Sequence, residues 1–142
     1  MTPADYATLR LHVKQSEGLR LKPYTDTVGR LSIGFGRNLT DVGISQIEAE
    51  MLLDNDLTRA IVDVQAVCPE FNGLDPVRQV VLAEMCFNLG ASRLSGFVKM
   101  LAAIHVEDYA TAAGEMRASR WAEQVGTRAV RLSDAMETGA LV

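Results

Sequence analysis

Ser16–Gly36, SEGLRLKPYTDTVGRLSIGFG, is the stretch on which the reading of the chain turns. Its glutamate, aspartate and serine, Glu17, Asp26 and Ser32, fall on three kinds of local structure. Glu17 ends an amphipathic helical stretch. Asp26 lies in a turn-rich segment bounded by Pro23 and Gly29. Ser32 lies in Leu31 to Phe35, which alternates like a strand. A helix end followed by a tight hairpin can fold these side chains toward one cleft. Two carboxyls facing a common cleft are the equipment of glycosidic bond hydrolysis.

The bulk numbers set bounds around that stretch. A chain of 142 residues is read as one domain, with room for two lobes. Its length suffices to bury about two-thirds of the surface of the unfolded chain. Apolar residues make up 48%, enough for a core. No run approaches the roughly 20 apolar residues of a membrane span, and MTPADYATLRLHVKQ carries no signal-peptide apolar core. The net charge of −4 argues against a nucleic-acid binder, which needs a basic footprint. Cys68 and Cys86 are too few for a disulfide framework and are read as free buried thiols, with a single bridge as the alternative. His12 and His105 stand alone, and no metal-ligand cluster, phosphate loop or Ser-His-Asp pattern is present.

Helix signals recur on both sides of the stretch. Thr2 is an N-cap with Pro3 in the first turn, and Tyr6, Leu9 and Val13 fall at helical spacing. Asp26-Thr27-Val28-Gly29 reads as a hairpin turn, and Arg37 to Gly43 as a loop. Ser45-Gln46-Ile47-Glu48 is a capping box that opens a long helix reaching about Gln65. Asp75-Pro76 starts another, VRQVVLAEMCFNLG, apolar on nearly every side and therefore the centre of a helical lobe. Shorter helices are expected over roughly Phe97 to Ile104, Glu107 to Ala118 and Thr127 to Glu137, with Ser119-Arg120-Trp121 as a short connector.

The central stretch resembles the catalytic segment of the T-even-type phage lysozymes, also called endolysins or muramidases. The family pattern is Glu-Gly-Leu-Arg-Leu, then Tyr-x-Asp-Thr-x-Gly, then a strand ending Thr-Ile-Gly-x-Gly. The chain has Glu17 to Leu21, Tyr24 to Gly29 and Ser32 to Gly36 at those spacings. GISQIEAEMLLDNDLTRAI resembles the family's lobe-linking helix. Asn88-Leu89-Gly90, Gly96-Phe97, Ser119-Arg120-Trp121 and Arg128 through Gly139 resemble its C-terminal helical lobe. The resemblance implies an α+β lysozyme fold. Its small β-hairpin lobe spans about 17–44 and its linking helix about 45–65. Its larger helical lobe spans about 66–142, joined by an N-terminal helix over 2–16.

The resemblance also assigns roles. Glu17 is the expected acid that protonates the leaving oxygen. Asp26 steers the attacking water with Ser32 as helper, on the opposite face of the sugar. An inverting outcome implies a carboxyl separation of roughly 6.5–9.5 Å. Asp26 has a second reading as an Asx-turn residue. Ser32 stands where the family usually has threonine, keeping the hydroxyl but not the methyl that fixes its rotamer. Arg128 matches an arginine expected to approach the catalytic glutamate. Arg37 stands where many members have histidine; it is either a brace to an acid on the long helix, such as Asp56, or a solvated loop residue. Phe87 matches a cleft-lining position and otherwise reads as core. Asn38, Met100 and Glu115 occupy altered cleft positions, and Trp121 reads as a packing anchor.

The implied activity is hydrolysis of the β-1,4 bond between N-acetylmuramic acid and N-acetylglucosamine in peptidoglycan, without a cofactor. The implied setting is a monomer held in the host cytoplasm until a holin gives it access to the wall, which it breaks to lyse the cell. Two rivals remain. A lytic transglycosylase would cut the same bond without external water. A catalytically idle wall-binding module would need neither carboxyl.

Overall fold

A computed structural model describes residues 1–141. The chain separates into two compact units, Met1–Met51 and a second from Leu52 on. The fold is α+β and mostly helical, with one small antiparallel sheet.

The first unit opens with α1, Pro3–Glu17, where the Thr2 side chain accepts the Asp5 N–H and the Asp5 side chain answers to the Thr2 backbone. Such reciprocal capping satisfies amides that a helix start leaves without partners. Tyr6, Leu9 and Val13 of its expected apolar stripe all remain exposed. Gly18, at φ 69°, ends the helix. The chain then forms a sheet of strand order β1-β2-β3, from β1 (Arg20–Thr25), β2 (Leu31–Gly34) and β3 (Arg37–Asn38). Tyr24 pairs with Ser32 across β1 and β2, and Ser32 pairs with Asn38 across β2 and β3. The β1 register is irregular between Arg20 and Tyr24, where Pro23 has no N–H to give a ladder. The third strand corrects the expected loop from Arg37. Gly36, at φ 76°, turns the chain back so that two residues join the ladder.

Helix α2, Gln46–Val67, begins in the first unit and continues into the second. Its capping box forms as expected: the Ser45 Oγ accepts the Glu48 N–H at 3.2 Å and Glu48 Oε2 accepts the Ser45 N–H at 2.7 Å. The second unit continues with a 3-10 turn at Phe71–Gly73, then α3 (Pro76–Leu89), α4 (Ala91–Ser95) and α5 (Val98–His105). It ends with α6 (Tyr109–Arg117), α7 (Arg120–Val125) and α8 (Thr127–Thr138). Asp75 caps α3 through the Val77 and Arg78 amides, with Pro76 in its first turn. The expected connector at Ser119–Trp121 is instead the start of α7, because the Ser119 hydroxyl accepts the Ala122 N–H and nucleates a turn.

The hydrophobic core lies in the second unit, between Val64 and Met136. Helix α3 contributes Val81, Leu82, Met85 and Cys86 to it, in keeping with its apolar circumference. Helix α6 packs on α5 and α8, and α3 also packs on α8. Cys68 and Cys86 are free and buried. Trp121 is the expected packing anchor: it is 3% exposed, donates its Nε1–H to Asn88 Oδ1 at 2.8 Å and meets Phe97 edge-on.

Arg78 ties two helix ends together. Its Nε donates to the Met136 carbonyl at 2.8 Å, Nη2 to the Glu137 carbonyl at 3.1 Å and Nη1 to Asp75 Oδ2 at 2.8 Å. Its guanidinium also stacks 3.6 Å from the Tyr109 ring centroid. The last carbonyls of α8, which have no intrahelical donor, are satisfied in this way. Among the described residues, the Ser133 hydroxyl is the buried side-chain polar atom left without a partner.

Candidate functional site

Glu17, Asp26 and Ser32 all lie in the first unit. Glu17 is the last residue of α1, and its carboxyl rests over Gly36. A β-carbon at position 36 would stand 2.6 Å from Glu17 Oε2 and 2.8 Å from its Cδ. Glycine is therefore required there twice, for its positive φ and for this close approach. Lys14, one turn earlier, places its ammonium 4.9 Å from the Phe35 ring centroid. The end of α1 and the β2–β3 turn are thus in contact at two neighbouring points. Glu17 itself is exposed.

Asp26 closes the hairpin turn. Its Oδ1 accepts the Val28 N–H at 3.0 Å and the Arg30 N–H at 2.9 Å. The backbone adds Asp26 N–H to the Arg30 carbonyl at 2.8 Å and Gly29 N–H to the Asp26 carbonyl at 3.1 Å. The Asx-turn geometry is real, and it occupies one carboxylate oxygen. Among the described residues, Oδ2 accepts no hydrogen bond.

Ser32 is on the central strand and only 3% exposed. Directly opposed residues of an antiparallel sheet share a face, so Tyr24, Ser32 and Asn38 lie in one row across it. Arg20 covers the Tyr24 ring at 4.5 Å from its centroid. Asn38 turns its amide to the following loop, donating to Asp41 Oδ2 at 2.9 Å and accepting the Asp41 N–H at 3.0 Å. Its side chain is engaged in closing that loop.

Arg37 is a brace, but not to the acid that the sequence singled out. Its guanidinium donates Nη1 to Glu48 Oε2 at 2.8 Å and Nη2 to Glu48 Oε1 at 2.6 Å, with Nη1 also 3.1 Å from the Gly43 carbonyl. Asp56 pairs with Arg59 on its own helix instead. Glu48 sits in the first turn of α2, where the short loop after β3 delivers the chain. The Arg37 hydrogen bonds, followed by the Ser45 N–H, hold its carboxyl down to about 2.

The remaining candidates lie in the second unit. Arg128, in the first turn of α8, donates Nε to Glu84 Oε1 at 2.9 Å, and Arg131 donates to the same oxygen at 2.8 Å. The Glu84 carboxylate offsets the unfavourable position of Arg128 at a helix start, and it is shared with a second cation, Arg131. Phe87 is 40% exposed on α3, against the core alternative. It borders a small cavity of about 200 Å³ together with Asp56, Arg59 and Asp63. Met100 and Glu115 line a larger cavity of about 670 Å³ with Phe97, Lys99, Arg120 and Trp121.

Sequence reasoning missed Gly36 as a wall for Glu17, Glu48 as the partner of Arg37 and Glu84 as the partner of Arg128. For Glu48 a signal existed: a helix-start acid only a short loop from a basic strand residue is close enough to reach it. The other two depend on tertiary approach. Among the described residues, no helix is long and apolar enough to cross a membrane.

The profile of the family described as "Phage lysozyme" matches residues 14–134. The chain is 31% identical over 164 aligned positions to a Dictyostelium discoideum protein named "Probable T4-type lysozyme 2", covering 95% of this chain and 96% of that one. It is 31% identical to the "Endolysin" of Acyrthosiphon pisum secondary endosymbiont phage 1, over 72% of this chain and 70% of that protein. It is also 29% identical to "Pre-baseplate central spike protein Gp5" of Enterobacteria phage T4, over 91% of this chain and 27% of the spike protein.

Proposed function

The chain belongs to the phage lysozyme family and is a glycoside hydrolase of the lysozyme type; from that premise we propose the bond it cuts and the residues that cut it. The bond is the β-1,4 linkage between N-acetylmuramic acid and N-acetylglucosamine in bacterial peptidoglycan. Glu17 gives its proton to the glycosidic oxygen as the bond from that oxygen to the anomeric carbon breaks. A water attacks the anomeric carbon from the opposite face, and its proton passes to Asp26. The Ser32 hydroxyl holds that water. The configuration inverts, so the α-anomer forms first. Arg128 and Phe87 act on the substrate side, and Arg37 and Asn38 support the cleft.

The observation that carries this reading is the division of labour at Asp26. One carboxylate oxygen takes both turn amides. The other accepts no bond among the described residues and is open to a water, beside a sheet whose central strand carries Ser32. The same reading has the protein act as a monomer, reach the wall through a holin and lyse its host.

Turbidity loss and reducing-end release from purified peptidoglycan test the assignment, with Glu17→Gln beside the wild type. Activity that vanishes in the variant supports Glu17 as the acid. Equal activity in both removes the mechanism. Binding without cleavage in either leaves a wall-binding module. NMR of the first product reads the anomer, and incorporation of labelled water into the new reducing end separates hydrolysis from an anhydro-forming transglycosylase. Gel filtration reads the monomer, and lysis with and without a co-expressed holin reads the route to the wall.

A further inference from the structure

The Glu17 carboxyl lies against the Gly36 backbone and, among the described residues, pairs with no cation, so the position of that backbone limits where the carboxyl can lie. The contact is close: a β-carbon at Gly36 would lie 2.6 Å from Oε2, 2.8 Å from Cδ and 3.2 Å from Cγ of Glu17. The residue that follows is Arg37, and its side chain makes three hydrogen bonds within the first unit. Both Nη atoms bond the Glu48 carboxylate, at 2.8 and 2.6 Å, and Nη1 also reaches the Gly43 carbonyl at 3.1 Å. Glu48 is held in turn by the Ser45 N–H at 2.7 Å. Residues 37 to 48 therefore close into a ring with the start of α2 as its base. The backbone of Arg37 pairs with Ile33, and its neighbour Asn38 pairs with Ser32. One residue thus borders the wall under Glu17 on one side and the ladder partner of Ser32 on the other.

We propose that the Arg37–Glu48 fork is a positioning device for catalysis, which sets the Gly36 backbone under the Glu17 carboxyl and the β3 ladder beside Ser32. The inference rests on the reading of Glu17 as the proton donor. A fork of two parallel N–H···O bonds fixes orientation as well as distance. An exposed ion pair that served stability alone contributes little and has no need of that geometry. Displacement of a catalytic group by about 1 Å is enough to cost on the order of 100-fold in rate. Arg37 and Glu48 touch no reacting atom in this scheme and act through Gly36.

The test measures kcat and KM on solubilised peptidoglycan for Arg37→Lys, Glu48→Gln, their double variant and Gly36→Ala, each normalised to the folded fraction from far-UV circular dichroism. Lysine keeps the charge but loses the fork. The expected result is a kcat lowered about tenfold in each single fork variant, with KM within about twofold. The double variant should be no worse than its poorer parent, since both remove one device. Gly36→Ala, which moves the wall itself, should lose on the order of 100-fold. Wild-type kcat in folded Arg37→Lys and Glu48→Gln, losses confined to KM, or losses that multiply in the double variant would each overturn the proposal. Should Arg37→Lys not fold, the isosteric Glu48→Gln decides in its place. Glu17→Gln, run alongside, separates the two levels. If it stays active, both the acid assignment and the fork fall. If it is inactive while the fork variants match the wild type, only the fork falls.

Discussion

Replacing Asp26 by asparagine separates two jobs held by one carboxylate. The turn uses only Oδ1, which accepts the Val28 and Arg30 amides at 3.0 and 2.9 Å. An asparagine carbonyl can accept the same two bonds, so Asp26→Asn should keep the hairpin and shift stability by less than about 1 kcal/mol. Asp26→Ala deletes both bonds and leaves two amides to find water, a loss of about 2–3 kcal/mol. Catalysis should rank the variants differently. On the proposed mechanism both remove the group that accepts the water's proton, worth about 100- to 10,000-fold in rate, or roughly 3–5 kcal/mol of barrier. Reducing-end release and urea denaturation on the same preparations give the two numbers. A near-native Asp26→Asn that is nearly inactive is the expected outcome. Wild-type turnover in Asp26→Asn would reduce Asp26 to a turn residue and refute the proposed water-steering role.

Three further predictions concern stability. Arg78→Met removes two helix-end carbonyl bonds, an ion pair and a ring contact from a side chain only 13% exposed; it should cost about 3 kcal/mol and lower the thermal midpoint by roughly 6–12 °C, and a fall of under about 2 °C would contradict that account. Ser133→Ala removes a buried hydroxyl with no partner and should raise the urea midpoint by about 1 kcal/mol equivalent; a lower midpoint would show that the hydroxyl is satisfied. The Glu48 carboxyl falls from an ordinary 4.5 to about 2 on folding, so its contribution is present above about pH 5 and is lost as pH drops toward 2. The stability gap between wild type and Glu48→Gln should therefore close over that acid range, and a gap independent of pH would exclude the ion pair as its source.

What could be read in the sequence was chemistry local to a few residues. The Thr2, Ser45 and Asp75 caps formed because each supplies an oxygen to amides within three residues of itself. The hairpin turn at Asp26–Gly29 formed for the same reason. Glu17, Asp26 and Ser32 sit on the helix end, turn and strand that local signals indicated, and the family motif supplied their candidate roles. Short elements were less legible. Strand β3 has two residues and exists because Gly36 reverses the chain, and α7 grows from a serine cap within a stretch that reads as a connector. Pairings between distant side chains were the least legible. Glu48 and Asp56 lie on one helix, and only the length and path of the loop after β3 decides which of them Arg37 reaches. Glu84 answers Arg128 across 44 residues of chain, a separation at which sequence offers several acids and no means to rank them.

The two units differ in what holds them. From residue 1 to residue 51, Ser32 is the one buried residue, and order there comes from caps, a short ladder, glycine turns and the Arg37 fork. The second unit has a packed core with two thiols inside it, Cys68 and Cys86. Regions with few buried apolar contacts open at lower free energy than packed ones. Warming should therefore silence the enzyme before it melts. Over an interval below the main thermal transition, cleavage should be lost and regained reversibly while a thiol-reactive dye still finds neither cysteine. The cysteines would then serve as a built-in clock for the packed half alone, and the lag between lost cleavage and first labelling would measure how much less stable residues 1–51 are than that half.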